Sequence, residues 1–187
     1  MKKLLLVVIF TISIIGCKEK NNESSLQNKP EITSENLDSI KSAPKNEIKT
    51  VKRPDGVTMR YFNPSPVVIA DSHEAGLSIY KNVNTNQYFL AVTVLFKQEE
   101  PTELSGDLLI QTTGVNGITL SPVLHKLINM NGQNVASSMY LLTSRDIKEL
   151  KNNPIKMIGI TAYNQLVGLN LTQNKNLIID EISQLIN

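Results

Sequence analysis

Short runs in which apolar and polar side chains alternate make up most of the chain after about residue 54. A period of two predicts β-strands, and the Asn- and Gly-containing segments between the runs predict antiparallel hairpins. The run QYFLAVTVLF, residues 87–96, is apolar on both faces and predicts a central strand that is covered on both sides. Residues 54–187 are therefore expected to form one mainly β, antiparallel, sandwich-like domain, since about 135 residues suffice for a single core.

Two Asn-Gly pairs, at residues 116–117 and 131–132, each predict a hairpin between two of these runs. The two-residue turn favoured by Asn-Gly is type I′, which needs a positive φ at both of its central residues. Glycine adopts that conformation without strain, whereas a β-branched residue does not. On this basis Gly117→Val is expected to damage the fold.

Two helices are expected, one short and one at the end of the chain. The first is predicted at residues 144–151, where Thr143 and Asp146 have the spacing of a near capping box. The second is predicted at residues 176–186, an amphipathic C-terminal segment. Its apolar residues recur at helical spacing, which favours packing on the core but leaves docking of a partner open. These residues are Ile178, Ile182 and Leu185, with Ile179 and Ile186 beside them.

The N-terminus combines a positive start with a short apolar run that ends at the only cysteine, Cys17. Met1 is followed by two lysines, and the run from Leu4 to Ile15 is apolar apart from one threonine and one serine. As a helix the run would be about 18 Å long, short of the roughly 30 Å hydrocarbon core of a bilayer. The pattern is typical of a secretory signal peptide and not of a membrane-spanning helix.

The four residues Ile14-Ile15-Gly16-Cys17 resemble the lipobox of bacterial lipoproteins. The resemblance implies that residues 1–16 are a lipoprotein signal peptide, removed after a diacylglycerol is attached to the Cys17 sulfur. It also implies that the new amino group is often acylated, with a chain such as palmitate. Several acyl chains on one residue give a stable membrane anchor. The residue after Cys17 is Lys18 and not the aspartate of inner-membrane retention, so by analogy a Gram-negative source would place the protein at the outer membrane.

Residues 17–53 are interpreted as the lipidated cysteine followed by a disordered tether. The segment is rich in Lys, Glu, Asn and Ser, with only isolated Leu and Ile, so it buries too little apolar area to offset the entropy of ordering. Ser39 lies in an Asp-Ser-Ile triplet that resembles an O-glycosylation sequon of some Gram-negative bacteria. An unmodified linker is the favoured interpretation, and modification of Ser39 stays open.

Charge argues against nucleic acid as a partner. Removal of residues 1–16 takes away two lysines and no acid, which leaves equal numbers of basic and acidic residues. Nucleic-acid binding needs clustered Lys and Arg that displace counterions, and a neutral chain gives no reason to expect it. With Cys17 lipidated, the mature chain has no cysteine left for a disulfide, so its stability must come from packing alone.

The sequence offers one candidate for catalysis, the cluster Asp71, Ser72, His73 and Glu74. If the cluster is a strand, Asp71 and His73 share one face and Ser72 and Glu74 the other, about 6.5–7 Å apart within each pair. A Ser-His-Asp site needs contacts of about 3 Å, so a polar turn or strand end is the favoured interpretation. His125 is expected to be an edge or semi-buried histidine. We expect no cofactor and no metal, because two distant histidines and no free cysteine make a poor ligand set.

We therefore expect a lipid-anchored protein of the cell envelope, in which the domain is a non-catalytic binding or interaction module. Its partners would be the membrane, through the anchor, and an envelope protein. Two alternatives stay open. One is an envelope hydrolase with an unidentified site, for which Asp71 and His73 are the only candidates. The other is an assembly subunit that docks through a sheet edge or through the C-terminal helix.

Cys17→Ser tests the proposed anchor. The variant is expected to leave the membrane fraction and to accumulate as uncleaved precursor, because in this class of protein lipidation precedes cleavage. Fractionation of cells and intact-mass measurement check both effects. An unmodified wild-type N-terminus beyond residue 17 would contradict the interpretation.

Overall fold

The computed structural model describes residues 46–97, 100–130 and 133–186, all within one compact unit, Ser42–Asn187. The predicted signal peptide (residues 1–16), Cys17 and Ser39 lie outside the described residues. The described part is mainly β, with two antiparallel sheets and two helices, which confirms the predicted sandwich-like fold. The strands are β1 (Lys49–Lys52), β2 (Thr58–Tyr61), β3 (Ser65–Ile69), β4 (His73–Asn82), β5 (Gln87–Phe96), β6 (Leu108–Thr112), β7 (Ile118–Leu120), β8 (Pro122–Met130), β9 (Gln133–Leu142), β10 (Ile155–Ala162) and β11 (Gln165–Asn170).

The larger sheet has the strand order β1-β2-β4-β5-β9-β8, and β3 pairs with β4 beside β2. The smaller sheet has the order β11-β10-β6-β7. The long strands β4, β5 and β9 form the centre of the larger sheet, with His73 opposite Phe96 and Leu90 opposite Tyr140. Strands β1 and β8 are its edges.

One hydrophobic core joins the two sheets and both helices. Alternate residues of the central strands point into it, such as Leu77 of β4, Leu90 of β5 and Tyr140 of β9. The smaller sheet adds residues such as Ile110 and Ile158. The period-two alternation therefore gives each sheet one core face, and we call the opposite face of the larger sheet its outer face.

Strand β5 lies at the centre of the larger sheet, as its apolar sequence predicts, but it is covered on one side only by described elements. Its even-numbered residues from Tyr88 to Val94 are buried in the core. On the outer face Phe89, Thr93 and Leu95 are partly exposed. The expectation of cover on both sides is not met within the described part of the chain.

The hairpin at Asn116-Gly117 joins β6 and β7, as predicted, but it is not a two-residue turn. The last β6–β7 pair is Ile110 with Ile118, while β6 continues to Thr112, so the loop between the two strands is residues 113–117. The reason is that the end of β6 pairs with β10, where Thr112 lies opposite Ile155, and Thr113 N–H donates to the Pro154 carbonyl at 2.9 Å. Gly117 has no positive φ, so the predicted ground for damage by Gly117→Val is wrong.

Two other pairs of strands are connected by only two residues. Met130 pairs with Gln133, so β8 and β9 are joined through Asn131-Gly132, which themselves lie outside the described residues. Between β10 and β11, Ala162 pairs with Gln165, and both turn residues have positive φ, 52° at Tyr163 and 58° at Asn164. This is the φ pattern of a type I′ turn, here without glycine.

The folded chain starts before the expected boundary at Pro54. Strand β1 pairs with β2 from Lys49 opposite Tyr61 to Lys52 opposite Thr58, within the segment that we interpret as a tether. Ile48 packs against the core. A chain shortened to Thr50 would therefore lose ordered contacts.

Both helices form where they are expected. Helix α1, Ser144–Asn152, begins at the N-cap Thr143, which forms a full capping box with Asp146. Helix α2, Leu177–Ile186, buries Ile178, Ile182 and Leu185 in the core, as predicted. Its apolar face therefore packs inside the domain and is not a free docking surface.

A buried carboxyl group fastens α2 to a break in the larger sheet. The ladder along β4 passes from β3 to β2, and between them the N–H of Ile79 has no strand partner. Glu181 of α2 is 1% exposed and accepts that N–H through Oε2 at 2.7 Å. Its Oε1 accepts from Asn46 Nδ2 at 2.9 Å, and the same amide donates to the Asn63 carbonyl at 3.0 Å. One side chain thus joins helix, sheet and the start of the folded chain.

Burial changes the ionisation of this group. Desolvation raises the pKa of Glu181 from 4.5 to about 8, against the opposing effect of the hydrogen bonds from Ile79 and Asn46. Because the folded-state pKa is the higher one, the folded protein holds a proton that the unfolded chain releases between these pH values. The associated stability is fully present below about pH 4.5 and is lost as the pH rises through about 8.

Two glycine variants test whether Gly117 lies in a strained turn, and Gly106, which precedes β6, is the crowded reference position. A Cβ at Gly106 would lie 2.4 Å from Thr161 Oγ1, whereas at Gly117 the nearest atom, the Ile110 carbonyl oxygen, is 3.5 Å away. Gly106→Ala is expected to lower the free energy of unfolding by about 1–3 kcal/mol. Gly117→Ala is expected to change it by no more than about 0.5 kcal/mol. Urea unfolding measures both changes. A larger loss of stability in Gly117→Ala would support the tight Asn-Gly turn that the sequence predicts.

Glu181→Gln tests the buried carboxyl group. Wild-type stability is expected to fall between about pH 5 and 8 by as much as about 1.4 kcal/mol per pH unit. The glutamine variant is expected to lose this slope and, at pH 5, about 1 kcal/mol of stability, because an amide accepts one of the two hydrogen bonds and not both. Glu47→Gln, an exposed carboxyl group near the start of the folded chain, is the control and should keep the slope. Equal slopes in wild type and Glu181→Gln would contradict the assignment.

Candidate functional site: the outer face of the larger sheet

The cluster Asp71, Ser72, His73 and Glu74 lies at the hairpin between β3 and β4. Asp71 and Ser72 belong to the turn, and β4 begins at His73. The Ala70 N–H donates to the His73 carbonyl at 2.9 Å and closes the turn. The sequence interpretation of a polar turn or strand end is therefore the one that the structure supports.

Within the cluster, Ser72 and His73 contact each other, although strict alternation along a strand predicts opposite faces. Ser72 Oγ and His73 Nδ1 are 2.9 Å apart, because Ser72 precedes the strand and is free of its alternation. Glu74 forms an ion pair with Lys97 at 2.8 Å, and Lys97 Nζ also donates to the Ala70 carbonyl at 3.0 Å. These contacts join the turn to the end of β5.

Beside the cluster, a cleft of about 290 Å³ opens between the two sheets. Ser72 and His73 lie at one side of it, and Tyr163 and Gln165 at the other. The ring of Tyr163 packs edge-on against Phe96 at 5.5 Å, and its hydroxyl donates to the Glu100 carbonyl. The rest of the lining is mostly apolar, so the cleft is a gap at the end of the core with a polar rim.

A serine bonded to a histidine is one part of a nucleophilic site, but such a site also needs donors for an oxyanion. Two backbone donors of the turn region are engaged, since the N–H groups of Ala70 and Lys97 bond to the carbonyls of His73 and Ser72. The geometry thus accounts for these residues as parts of the turn. That they carry no chemistry stays a prediction.

His125 lies on the edge strand β8, as expected, and its Nε2 is 3.4 Å from Glu103 Oε2. Among residues 46–97, 100–130 and 133–186, no group of three or more His, Cys, Asp or Glu side chains is placed to hold a metal ion. Neither histidine therefore defines a metal centre within the described chain.

The outer face of the larger sheet is the most extensive candidate surface. Side chains of β4, β5, β9 and β8 meet there in cross-strand rows, because the strands pair in register. The side chains are apolar, aromatic or small, with few charges. They are Gly76, Ser78 and Tyr80 of β4; Phe89, Ala91, Thr93 and Leu95 of β5; Val135, Ser137 and Met139 of β9; and Leu124, Lys126 and Ile128 of β8.

Small side chains occupy the middle of this face. Gly76, Thr93 and Ser137 lie opposite one another on three adjacent strands, and Lys126 continues the row on the edge strand. On one side of the row stand the larger Leu95, Val135 and Ile128, and on the other side Met139 and Leu124 stand beside the small Ser78 and Ala91. The result is a depressed strip across the sheet, about 14 Å from β4 to β8 at the usual strand spacing. We call this strip the outer groove.

Two depressions form the outer groove, and Thr93 lines both. The first has a volume of about 470 Å³ and lies between Pro64, Gly76 and Leu95. The second has about 230 Å³ and lies between Ala91, Lys126 and Met139. Ligand sites in proteins are typically apolar hollows of about 300–1,000 Å³ with a few polar groups, and the groove is of this kind.

Comparison of the chain with protein-family models, with curated proteins and with solved structures finds no match. Within the described residues, no helix has the length and apolar character needed to cross a bilayer. The candidate site is therefore argued from geometry. Sequence reasoning missed the groove, and the only signal of it was the unusual apolar run of β5, which predicts neither the small residues of β4 and β9 nor their register.

Asp71→Asn and His73→Ala test the interpretation of the turn. Each is expected to lower the free energy of unfolding by no more than about 1 kcal/mol, as for other turn substitutions, and to leave the cellular role intact. Denaturant unfolding and complementation measure the two effects. Stoichiometric zinc in the wild type that is lost in His73→Ala would overturn the interpretation and favour the hydrolase alternative.

Proposed function

We propose that the protein is a lipid-anchored component of the cell envelope and that its β-domain is a non-catalytic binding module acting through the outer face. The observation that carries the proposal is the outer groove, a hollow strip of apolar and small side chains over which no described helix or strand packs. A hollow lined mainly by apolar side chains with a few polar groups is the usual form of a binding site in a protein.

The contrast between the two faces of the larger sheet supports the proposal. On the core face, Leu77, Ile79 and Leu90 are fully buried beneath the smaller sheet and the helices. On the outer face, Phe89 and Met139 remain partly exposed. Apolar area in water costs about 25 cal/mol per Å², so a partner that covers this face gains affinity from the same term that stabilises the core.

The proposed anchor would place the binding module near the membrane surface. A Cys17 lipid anchor and a tether of about 30 residues would hold the domain within reach of the membrane surface, at an r.m.s. distance of roughly 30 Å. At that distance the domain meets envelope proteins and amphiphiles at high local concentration. The lipobox resemblance is the support for this part of the proposal.

A second candidate, an assembly subunit, is favoured by the edge strand β8. Val123, Leu124 and Leu127 are 55%, 48% and 43% exposed on it. A long edge strand with exposed apolar residues is a template for strand addition by another chain. In this alternative the contact would centre on the backbone of β8 and not on the groove.

Photo-crosslinking in cells tests the proposal. A benzoylphenylalanine at Ser137, in the middle of the outer groove, is expected to give light-dependent adducts with an envelope component. The matched control is Gln111, an exposed residue on β6 of the smaller sheet, which should give few. Adducts from Val123 but not from Ser137 would favour the assembly subunit. Equal yields from Ser137 and Gln111 would contradict the proposed function.

A further inference from the structure

The charges along the outer groove are unequal. At the end near β3, Glu74 lines the groove but is neutralised by Lys97 at 2.8 Å. At the other end Lys126 is exposed, and it makes no ion pair with another residue of the described chain. The groove thus joins an apolar hollow to one uncompensated positive charge.

We infer that the outer groove binds a free, single-chain amphiphile with an anionic headgroup, of the fatty-acid class. The headgroup lies at Lys126 and the acyl chain runs past Thr93 and Gly76 toward Pro64. The inference rests on the proposed function and specifies the ligand of the same face. Charge complementarity selects the occupant, since a cationic or uncharged amphiphile leaves Lys126 without a counter-charge.

Calorimetric titration of the chain from Lys18 onward tests the inference without detergent. This chain contains all of residues 46–186, which form one packed unit, and it lacks the anchor. Hexadecanoate, below its aggregation concentration, is expected to bind with one-to-one stoichiometry. Each methylene removed from the ligand should weaken binding about fourfold. Hexadecyltrimethylammonium should bind at least about tenfold more weakly than hexadecanoate.

Variants distinguish binding in the outer groove from non-specific adsorption of the amphiphile. Lys126→Glu is expected to weaken hexadecanoate binding about tenfold and to strengthen binding of the cationic probe, whereas Lys156→Glu, an exposed lysine on β10, should change neither. Ser137→Phe should block the groove, with Gln111→Phe as its control. Thermal unfolding shows that each variant is folded.

Three results would overturn the inference: no saturable binding of hexadecanoate by the wild type, equal binding by Lys126→Glu and Lys156→Glu, or binding to phosphatidylglycerol vesicles without binding of the monomer. The proposed function is tested separately from the ligand class. If photo-adducts from Ser137 are protein and hexadecanoate does not bind, the outer face is still a binding surface and only the ligand class is wrong.

Discussion

The contact between Glu181 and the Ile79 N–H is the interaction on which the arrangement of this domain depends. The partner of β4 changes from β3 to β2, and this change leaves a buried N–H that water does not reach. An unpaired buried donor costs about 1–3 kcal/mol, so a side chain must take the place of the missing strand. Glu181 does so from α2, and Asn46 completes the junction. The C-terminal helix and the first residues of the folded chain are thereby tied to the centre of the larger sheet.

This junction explains why the two faces of the larger sheet differ. Because α2 is held over the core face, together with α1 and the smaller sheet, the described helices are all used on one side. The shape of the outer face is then set by its own side chains. Small residues such as Gly76 and Ala91 there make a hollow instead of a flat apolar surface. The same constraint that closes the core thus leaves the outer groove uncovered by the described helices.

Local patterns predict much of this structure. Alternation predicts the strands and the sandwich-like class, and the capping residues Thr143 and Asp146 predict the start of α1. Helical spacing also predicts the buried face of α2. It does not predict Glu181, since a carboxyl group on an apolar face is ordinarily expected at its solvent border, and its partner Ile79 is distant in sequence. The prediction of a tight turn at Gly117 is wrong for a related reason. Pairing of β6 with β10 is a tertiary contact, and it overrides the local Asn-Gly signal. The outer groove depends on the register of four strands, which no single segment encodes.

Accessibility of the outer face in living cells tests the central claim most directly. If Cys17 is lipidated, the mature chain has no free thiol, so a cysteine introduced at Ser137 is the only site for a membrane-impermeant maleimide. Gln111→Cys, on the smaller sheet, serves as the reference position. The account predicts that the purified protein labels at both positions, whereas in cells Ser137→Cys is protected and Gln111→Cys is not. Equal labelling of the two positions in cells would show that nothing occupies the outer face and would contradict the account.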